Sequence, residues 1–355
     1  MARTISKSFF VSSPEARPAL LASLLFLCIG LLGCAPDAER DFVQLEGETM
    51  GTTYHITLVT DEQPLRAKDF TELQAAVDTE LLLINQHMST YIPDSEIMKL
   101  NSAEVDEWLY VSEPLRQVLE ISQAISRKSN GAFDITVGPL VDAWGFGPGR
   151  PVDHQPAPEV IRKAKAVVGY QYLELTGHQV RKTAAIHLDL SAVAKGYGVD
   201  WIATFLDARG FQHYMVEIGG ELRLKGLNAK GKPWRIAIEH PEAWQGSIHK
   251  AIAISDRGMA TSGDYRNYLE LDGKRFSHTI DPKTGYPIDH NLASVTVIAA
   301  TSAEADAWAT AINVLSDEKG MAVAQKENLA VYMIVKDGDH FTDRSSEAFA
   351  AYNAQ

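Results

Sequence analysis

Residues 189–227 read DLSAVAKGYGVDWIATFLDARGFQHYMVEIGGELRLKGL. Asp189-Leu190 reads as a strand end. Ser191–Arg209 follows as a helix with small residues in its first turn, stopped by Gly210. Two short strands come next, Gln212–Ile218 and Glu221–Leu227. Toward the C-terminus strands dominate: Trp234–Glu239, Ser247–Ser255, Arg275–Ile280 and Ala293–Ala299. A helix over Ser302–Leu315, a shorter helix and a strand near Val331 close the chain. Toward the N-terminus, Thr52–Val59 alternates as a strand. Apolar spacing at Leu73, Val77, Leu81 and Ile84 predicts a helix over Asp69–Met88. Ser112 and Asn130-Gly131 bracket another over Ser112–Ser129. A Gly/Pro-rich loop spans Gly131–Pro158, then a helix near Pro158–Val168 and short strands near Tyr172 and Ile186. Long helices with mostly antiparallel strands predict an α+β fold, with no linker dividing it.

The N-terminus speaks to compartment. Arg3, Lys7 and Arg17 precede an apolar run, Ala19–Gly33, shorter than the roughly 20 residues of a bilayer span. The run ends in Leu31-Leu32-Gly33-Cys34, a secretory signal with a lipoprotein-type cleavage box. An ordinary signal peptide or a short anchor helix are the other readings. The expected organisation is a signal peptide at 1–33, a lipid-anchored tether at 34–44 with Cys34 carrying the lipid, and a catalytic unit at 45–355. That places the chain in the cell envelope, facing the periplasm, with the membrane as partner through its anchor only. Ala35 favours the outer membrane in bacteria that sort by this position.

Cys28, the other cysteine, lies inside the segment to be removed. The mature chain then has no thiol pair, which excludes a disulfide, thiol catalysis and a cysteine metal site. Removing residues 1–33, with three basic residues and one acidic, takes the formal charge from −13 to −15. Such a surface disfavours nucleic acid and anionic lipid. An anionic ligand must be held by local donors or a metal.

Several clusters suit chemistry. Phe276–Pro287, FSHTIDPKTGYP, runs from a strand into a stiff Asp-Pro-Lys-Thr-Gly turn, because proline fixes φ and glycine permits positive φ. His278 stands just before that corner, where a general acid or base is held in position; a surface hairpin with a strand-capping histidine reads from the same letters. Met50-Gly51-Thr52-Thr53-Tyr54 puts a glycine at a strand entrance, which favours a β-bulge. Tyr91, in Met88-Ser89-Thr90-Tyr91, suits packing or stacking on a planar ligand. Gly131-Ala132-Phe133-Asp134 lets backbone approach a ligand, with Asp134 an acceptor for ring N–H groups; an ordinary loop fits too.

In Asp189–Gly198 a strand end opens a helix whose free N–H groups suit phosphate, with Ser191 as N-cap and Lys195 adding a point charge. Close helix–sheet packing asks for the same small residues. In Ser302–Thr310, Asp306 and Thr310 are one helical turn apart on one face. A carboxylate and a hydroxyl so placed suit a hard cation such as magnesium. A favourable helix-dipole charge is the plainer reading of Asp306.

Taken in order, MGTTY, MSTY, GAFDITVGPLVDAWGFG, LDLSAVAKGYGVD, EIGGELR, ATSGDYRNY, FSHTIDPKTGYP and SAEADAWATAI resemble one family. Over about Met50–Val335 the chain looks like the bacterial ApbE family, FAD:protein FMN transferases, many of them lipoproteins. The resemblance implies that Met50, Tyr91, Ala132, Phe133, Asp134, Asp189, Lys195 and Ile280 contact FAD. It implies that Ala192 (through its carbonyl), Asp306 and Thr310 hold Mg2+, and that His278 activates the acceptor hydroxyl. Asp264 and Arg266, in the ATSGDYRNY turn, would support the phosphates or the nearby loop. The implied reaction moves FMN from FAD, the substrate, to a threonine of a client protein such as a respiratory or electron-transport subunit, and releases AMP. The alternatives are a magnesium-dependent FAD pyrophosphatase and a non-catalytic flavin-binding lipoprotein.

Overall fold

The computed structural model describes residues 40–60, 65–149, 152–241, 248–263, 268–271 and 274–353. Cys34, the signal segment, Asp264 and Arg266 lie outside the described residues. The first strand, β1 (Phe42–Thr49), starts inside the stretch expected to be tether, and it pairs antiparallel with β2 (Thr52–Val59). Their connection is Met50-Gly51, at φ 50° and 72°. Two successive left-handed residues match the twist of a tight hairpin, so this is a hairpin turn and not the expected bulge.

Helices α1 (Ala67–Met88) and α2 (Glu96–Ser102) follow, then β3 (Leu109–Tyr110) and α3 (Glu113–Lys128). Ser112 caps α3 by accepting the Leu115 N–H. The expected loop after it contains α4 (Gly138–Ala143), at 6 residues too short to show a helical period. Next come α5 (Pro158–Lys165), β4 (Leu173–Thr176) and β5 (Gln179–Lys182). The second of these strands had been expected at Ile186. Gly177, at φ 58°, turns the chain back earlier, and His187 makes only an isolated bridge to Val137.

Helix α6 (Ala194–Ala208) starts later than the expected Ser191. It leads into β6 (Tyr214–Ile218), β7 (Glu221–Lys225), β8 (Trp234–Glu239), β9 (Ile248–Ile254) and β10 (Arg257–Gly263). After these come β11 (Tyr268–Leu271), β12 (Lys274–Ser277), β13 (Leu292–Ala299), α7 (Ser302–Lys326), β14 (Ala330–Asp337) and β15 (His340–Ser345). β10, with two glycines among its seven residues, has little strand propensity of its own. Pairing with β7 on one side and β13 on the other holds it extended.

Eight strands form one sheet in the order β1-β2-β6-β7-β10-β13-β14-β15, antiparallel at every pairing. The fold is thus α+β. Strand periodicity sorts its two faces. In β14, Val331, Met333 and Val335 join the core shared with α3 and α7, while Ala330, Tyr332 and Ile334 pack with the β8–β9 ribbon and Phe349. Among the described residues no helix is long and apolar enough to cross a membrane.

The two expected C-terminal helices are one element broken at Ser316, which sits at φ 64°, ψ −178°. That region is open essentially to glycine alone and costs about 1–3 kcal/mol for another residue. The break frees the Asn313 carbonyl, which accepts from His290 Nε2 at 2.7 Å. Ser316→Gly is expected to stabilise the fold by about 1 kcal/mol, because relieved strain outweighs the added freedom of the unfolded chain. Urea denaturation reads this directly; an unchanged or lower midpoint would contradict it.

Candidate functional site

The last turn of α1 ends at Met88, and the loop after α3 and the start of α6 reach the same region. Between them and the sheet lies a cavity of about 840 Å³. Ala132, Phe133, Asp134 and Asp189 line it from the loops. Ala192 contributes from just ahead of α6, Lys195 from its first turn, and Asp306 and Thr310 from the first turns of α7. His278 and Ile280 come from the segment after β12, and the exposed ring of Tyr91 completes the rim. Every implied flavin, metal and catalytic position thus borders one cavity, except Met50. That side chain packs elsewhere, on α6, where a Cβ at Gly198 would lie 2.7 Å from Met50 Cε.

Two helices meet here and cap each other. The residue before α6 is Val193, which has no capping side chain. Asp306 Oδ2, on α7, instead accepts the Gly196 N–H at 3.1 Å. In return Asp200, on α6, accepts the Ser302 and Ala303 N–H groups that open α7, at 2.9 and 2.8 Å. Ser191, the expected cap, turns the other way: its N–H donates to Asp189 Oδ1 at 2.7 Å. Helices exchanging carboxylates at their positive ends have a fixed mutual register. The contact is close enough to demand glycine at 196, since a Cβ there would stand 2.5 Å from Ser302 O. This register brings Ala192, Lys195 and Asp306 onto one wall.

Burial pushes Asp200 up to about 6, against the two N–H groups that favour its charge. The native state therefore holds a proton that the unfolded chain has already released. Between about pH 4 and 6 this carboxyl makes the fold lose stability as pH rises, by on the order of 3 kcal/mol. Asp200→Asn should remove that part of the slope. Chemical denaturation of both proteins across pH 4–7 tests it, and parallel stability profiles would count against it.

Lys195 Nζ donates to Glu221 Oε1 at 2.9 Å. Burial works against its charge, yet the carboxylates of Asp306 and Glu221 outweigh burial and raise its pKa. Burial also raises Asp306, against the opposing pull of Lys195 and the Gly196 N–H. Burial raises Glu221 too, against the opposing attraction of Lys195. Carboxylates of Glu217 and Glu239 also line the cavity, and Lys195 is the one ammonium among its described lining residues. A pyrophosphate entering this space needs a further cation, because like charges in a partly dry site repel strongly. A carbonyl, a carboxylate and a hydroxyl, from Ala192, Asp306 and Thr310, are the oxygen donors that magnesium takes, with water and phosphate completing its shell.

The corner beyond His278 is stiff, as its letters predict. Asp281 N–H donates to Tyr286 O, Gly285 N–H to Asp281 O and Lys283 N–H to Asp281 Oδ1. The buried Trp144 anchors it by donating from Nε1 to Gly285 O at 3.0 Å, with Phe276 and Tyr286 against its ring. The strand, however, stops at Ser277, so His278 lies just past it, edge-on to Phe146. Asp134 differs from its expected free acceptor role. Oδ1 takes Thr136 N–H and Oγ1, and Oδ2 takes Tyr170 N–H, so the carboxylate ties its own loop together. Its neighbours Ala132 and Phe133 are thereby held at the cavity wall. Glu221 and Asp200 were given no role from sequence. An acid directly after Gly-Gly in EIGGELR was the available signal for Glu221, while Asp200 is recognisable only once α6 and α7 are docked.

The family model described as ApbE family matches residues 50–333. The chain is 41% identical over 337 residues to a Haemophilus influenzae FAD:protein FMN transferase, covering 93% of this chain and 97% of that protein. It is 44% identical over 333 residues to one from Vibrio cholerae, covering 94% and 97%. The solved structure of flavin transferase ApbE from Vibrio cholerae superposes with a TM-score of 0.81 at 42% identity, over 88% of this chain and 99% of that one. The ApbE protein from Thermotoga maritima, 27% identical, gives a TM-score of 0.77 over 89% and 100%.

Proposed function

The chain belongs to the ApbE family, and on that footing we propose that it transfers the FMN half of FAD to a threonine hydroxyl of a client protein. The observation that carries this reading is one cavity bordered both by the oxygen set of Ala192, Asp306 and Thr310 and by the imidazole of His278. FAD lies in the cavity as substrate, with Tyr91 available to stack on a ring and backbone at Ala132 and Phe133 close to it. Lys195 faces the phosphates.

Ala192, Asp306 and Thr310 would hold Mg2+, which would supply charge that neutralises the phosphoanhydride. His278 takes the proton of the threonine hydroxyl as the hydroxyl oxygen bonds to the FMN-side phosphorus. The anhydride bond breaks and AMP departs with the bridging oxygen. An imidazole suits this role because its ordinary pKa, about 6.5, leaves a proton acceptor at neutral pH. The corner anchored on Trp144 holds that group still, which is what in-line attack requires.

The test is incubation of the protein with FAD, Mg2+ and a client domain carrying the acceptor threonine, followed by mass spectrometry. An FMN adduct on the client is expected. Free FMN and AMP without an adduct would replace this reading with FAD hydrolysis. The clients are respiratory or electron-transport subunits facing the periplasm. Residues 1–33 are a signal peptide and residues 34–44 a tether whose last residues enter β1, with Cys34 bearing the lipid. Cys34→Ser should move the protein from the membrane fraction to the soluble one, and retention in membranes would refute the anchor.

A further inference from the structure

Gly219 and Gly220 separate β6 from β7 at φ 59° and 104°. This left-handed pair turns the chain so that Glu221, the first residue of β7, is buried at the cavity wall, with only 4% of its surface exposed. A side chain at 219 would crowd this arrangement, since a Cβ there would lie 2.8 Å from Thr52 Cγ2 and 3.3 Å from Lys195 Cδ. Glu221 Oε1 is occupied by Lys195 Nζ. Oε2 is buried and receives no hydrogen bond from the described residues.

A carboxylate oxygen shut away from water with no donor is costly, on the order of 1–3 kcal/mol or more. Among the described residues none donates a hydrogen bond to Oε2, and the attraction of Lys195 offsets only part of that cost. Its charged neighbours in the cavity wall are Lys195, already engaged, and Asp306, which repels it. The missing partner is therefore a donor that arrives with the ligands. A divalent ion on Ala192, Asp306 and Thr310 would keep about three of its six positions for water and phosphate, and metal-bound water is a strong hydrogen-bond donor.

We propose that Glu221 is a positioning residue of the cation site: Oε2 accepts a hydrogen bond from water in the shell of the divalent ion, while Oε1 steers the Lys195 ammonium toward the phosphates. This rests on the reading of Asp306 as a metal ligand given above. Carboxylates that orient the shell of a bound metal change its affinity by about 10–100-fold when replaced.

The experiment measures Mn2+ binding by electron paramagnetic resonance titration of the intact protein with FAD present. Wild type, Glu221→Gln and Asp306→Asn are compared. Glu221→Gln keeps the shape and one acceptor oxygen for Lys195, whose ammonium retains Asp306 as counter-charge. The expected result is a loss of Mn2+ affinity of 10-fold or more in Glu221→Gln and loss of the site in Asp306→Asn. If Asp306→Asn loses the site while Glu221→Gln binds within about 2-fold of wild type, far below the range expected of an orienting carboxylate, the proposal for Glu221 fails alone. If Asp306→Asn binds Mn2+ as wild type does, the metal site itself is elsewhere and both readings fall. A purely structural role would change the melting temperature of Glu221→Gln and leave its Mn2+ affinity intact, which also overturns the proposal.

Discussion

Asp306→Asn is expected to cut FMN transfer by about 10³-fold or more. A metal acting as Lewis acid supplies several kcal/mol of transition-state stabilisation, and each ~1.4 kcal/mol is a tenfold rate. Asparagine is the informative replacement. Its amide oxygen can still accept the Gly196 N–H, so the mutual capping of α6 and α7 survives. Alanine would remove the cap as well and confuse a chemical loss with a packing loss. The substitution also takes one carboxylate from Lys195, which keeps Glu221. Steady-state rates against Mg2+ concentration make the measurement. Full activity of Asp306→Asn at ordinary Mg2+ would remove this residue from the mechanism.

His278→Ala should lower transfer by about 10²–10⁴-fold, the usual worth of a positioned general base, with FAD affinity nearly unchanged. The corner beyond it is held by its own backbone bonds and by Trp144, none of which uses the imidazole. The loop therefore stays folded in the variant. Covalent flavin fluorescence on the client reads transfer, and equilibrium titration of flavin fluorescence reads binding. Equal transfer rates in variant and wild type would move the base elsewhere. A parallel loss of FAD affinity would instead assign His278 to binding.

Much of the fold was legible in local pattern. Leu73, Val77, Leu81 and Ile84 predicted the buried stripe of α1, and all four are buried. Thr52–Val59 matches β2 residue for residue. Where local signals were weak the reading slipped. β10 has the composition of a loop and is a central strand because two neighbours pair with it. Met50-Gly51 read as a bulge because the strand before it was not recognised, and a turn is defined by both strands it joins.

The sequence by itself determined the chemistry available. It set which residues carry oxygen, imidazole and ammonium, the stiffness of the Asp281–Gly285 corner, and the one-face spacing of Asp306 and Thr310. These depend on residue type and on distances within a single turn, which local rules capture. Only the tertiary structure decided which of those groups share a wall. Asp200 and Asp306 each cap the other's helix, Asp134 spends its carboxylate on its own loop, and Glu221, at the cavity wall, is left with a buried oxygen that no described residue bonds. The mutual capping follows from contacts between residues about a hundred positions apart, Asp200 with Ser302 and Asp306 with Gly196, and no local period encodes where such partners meet.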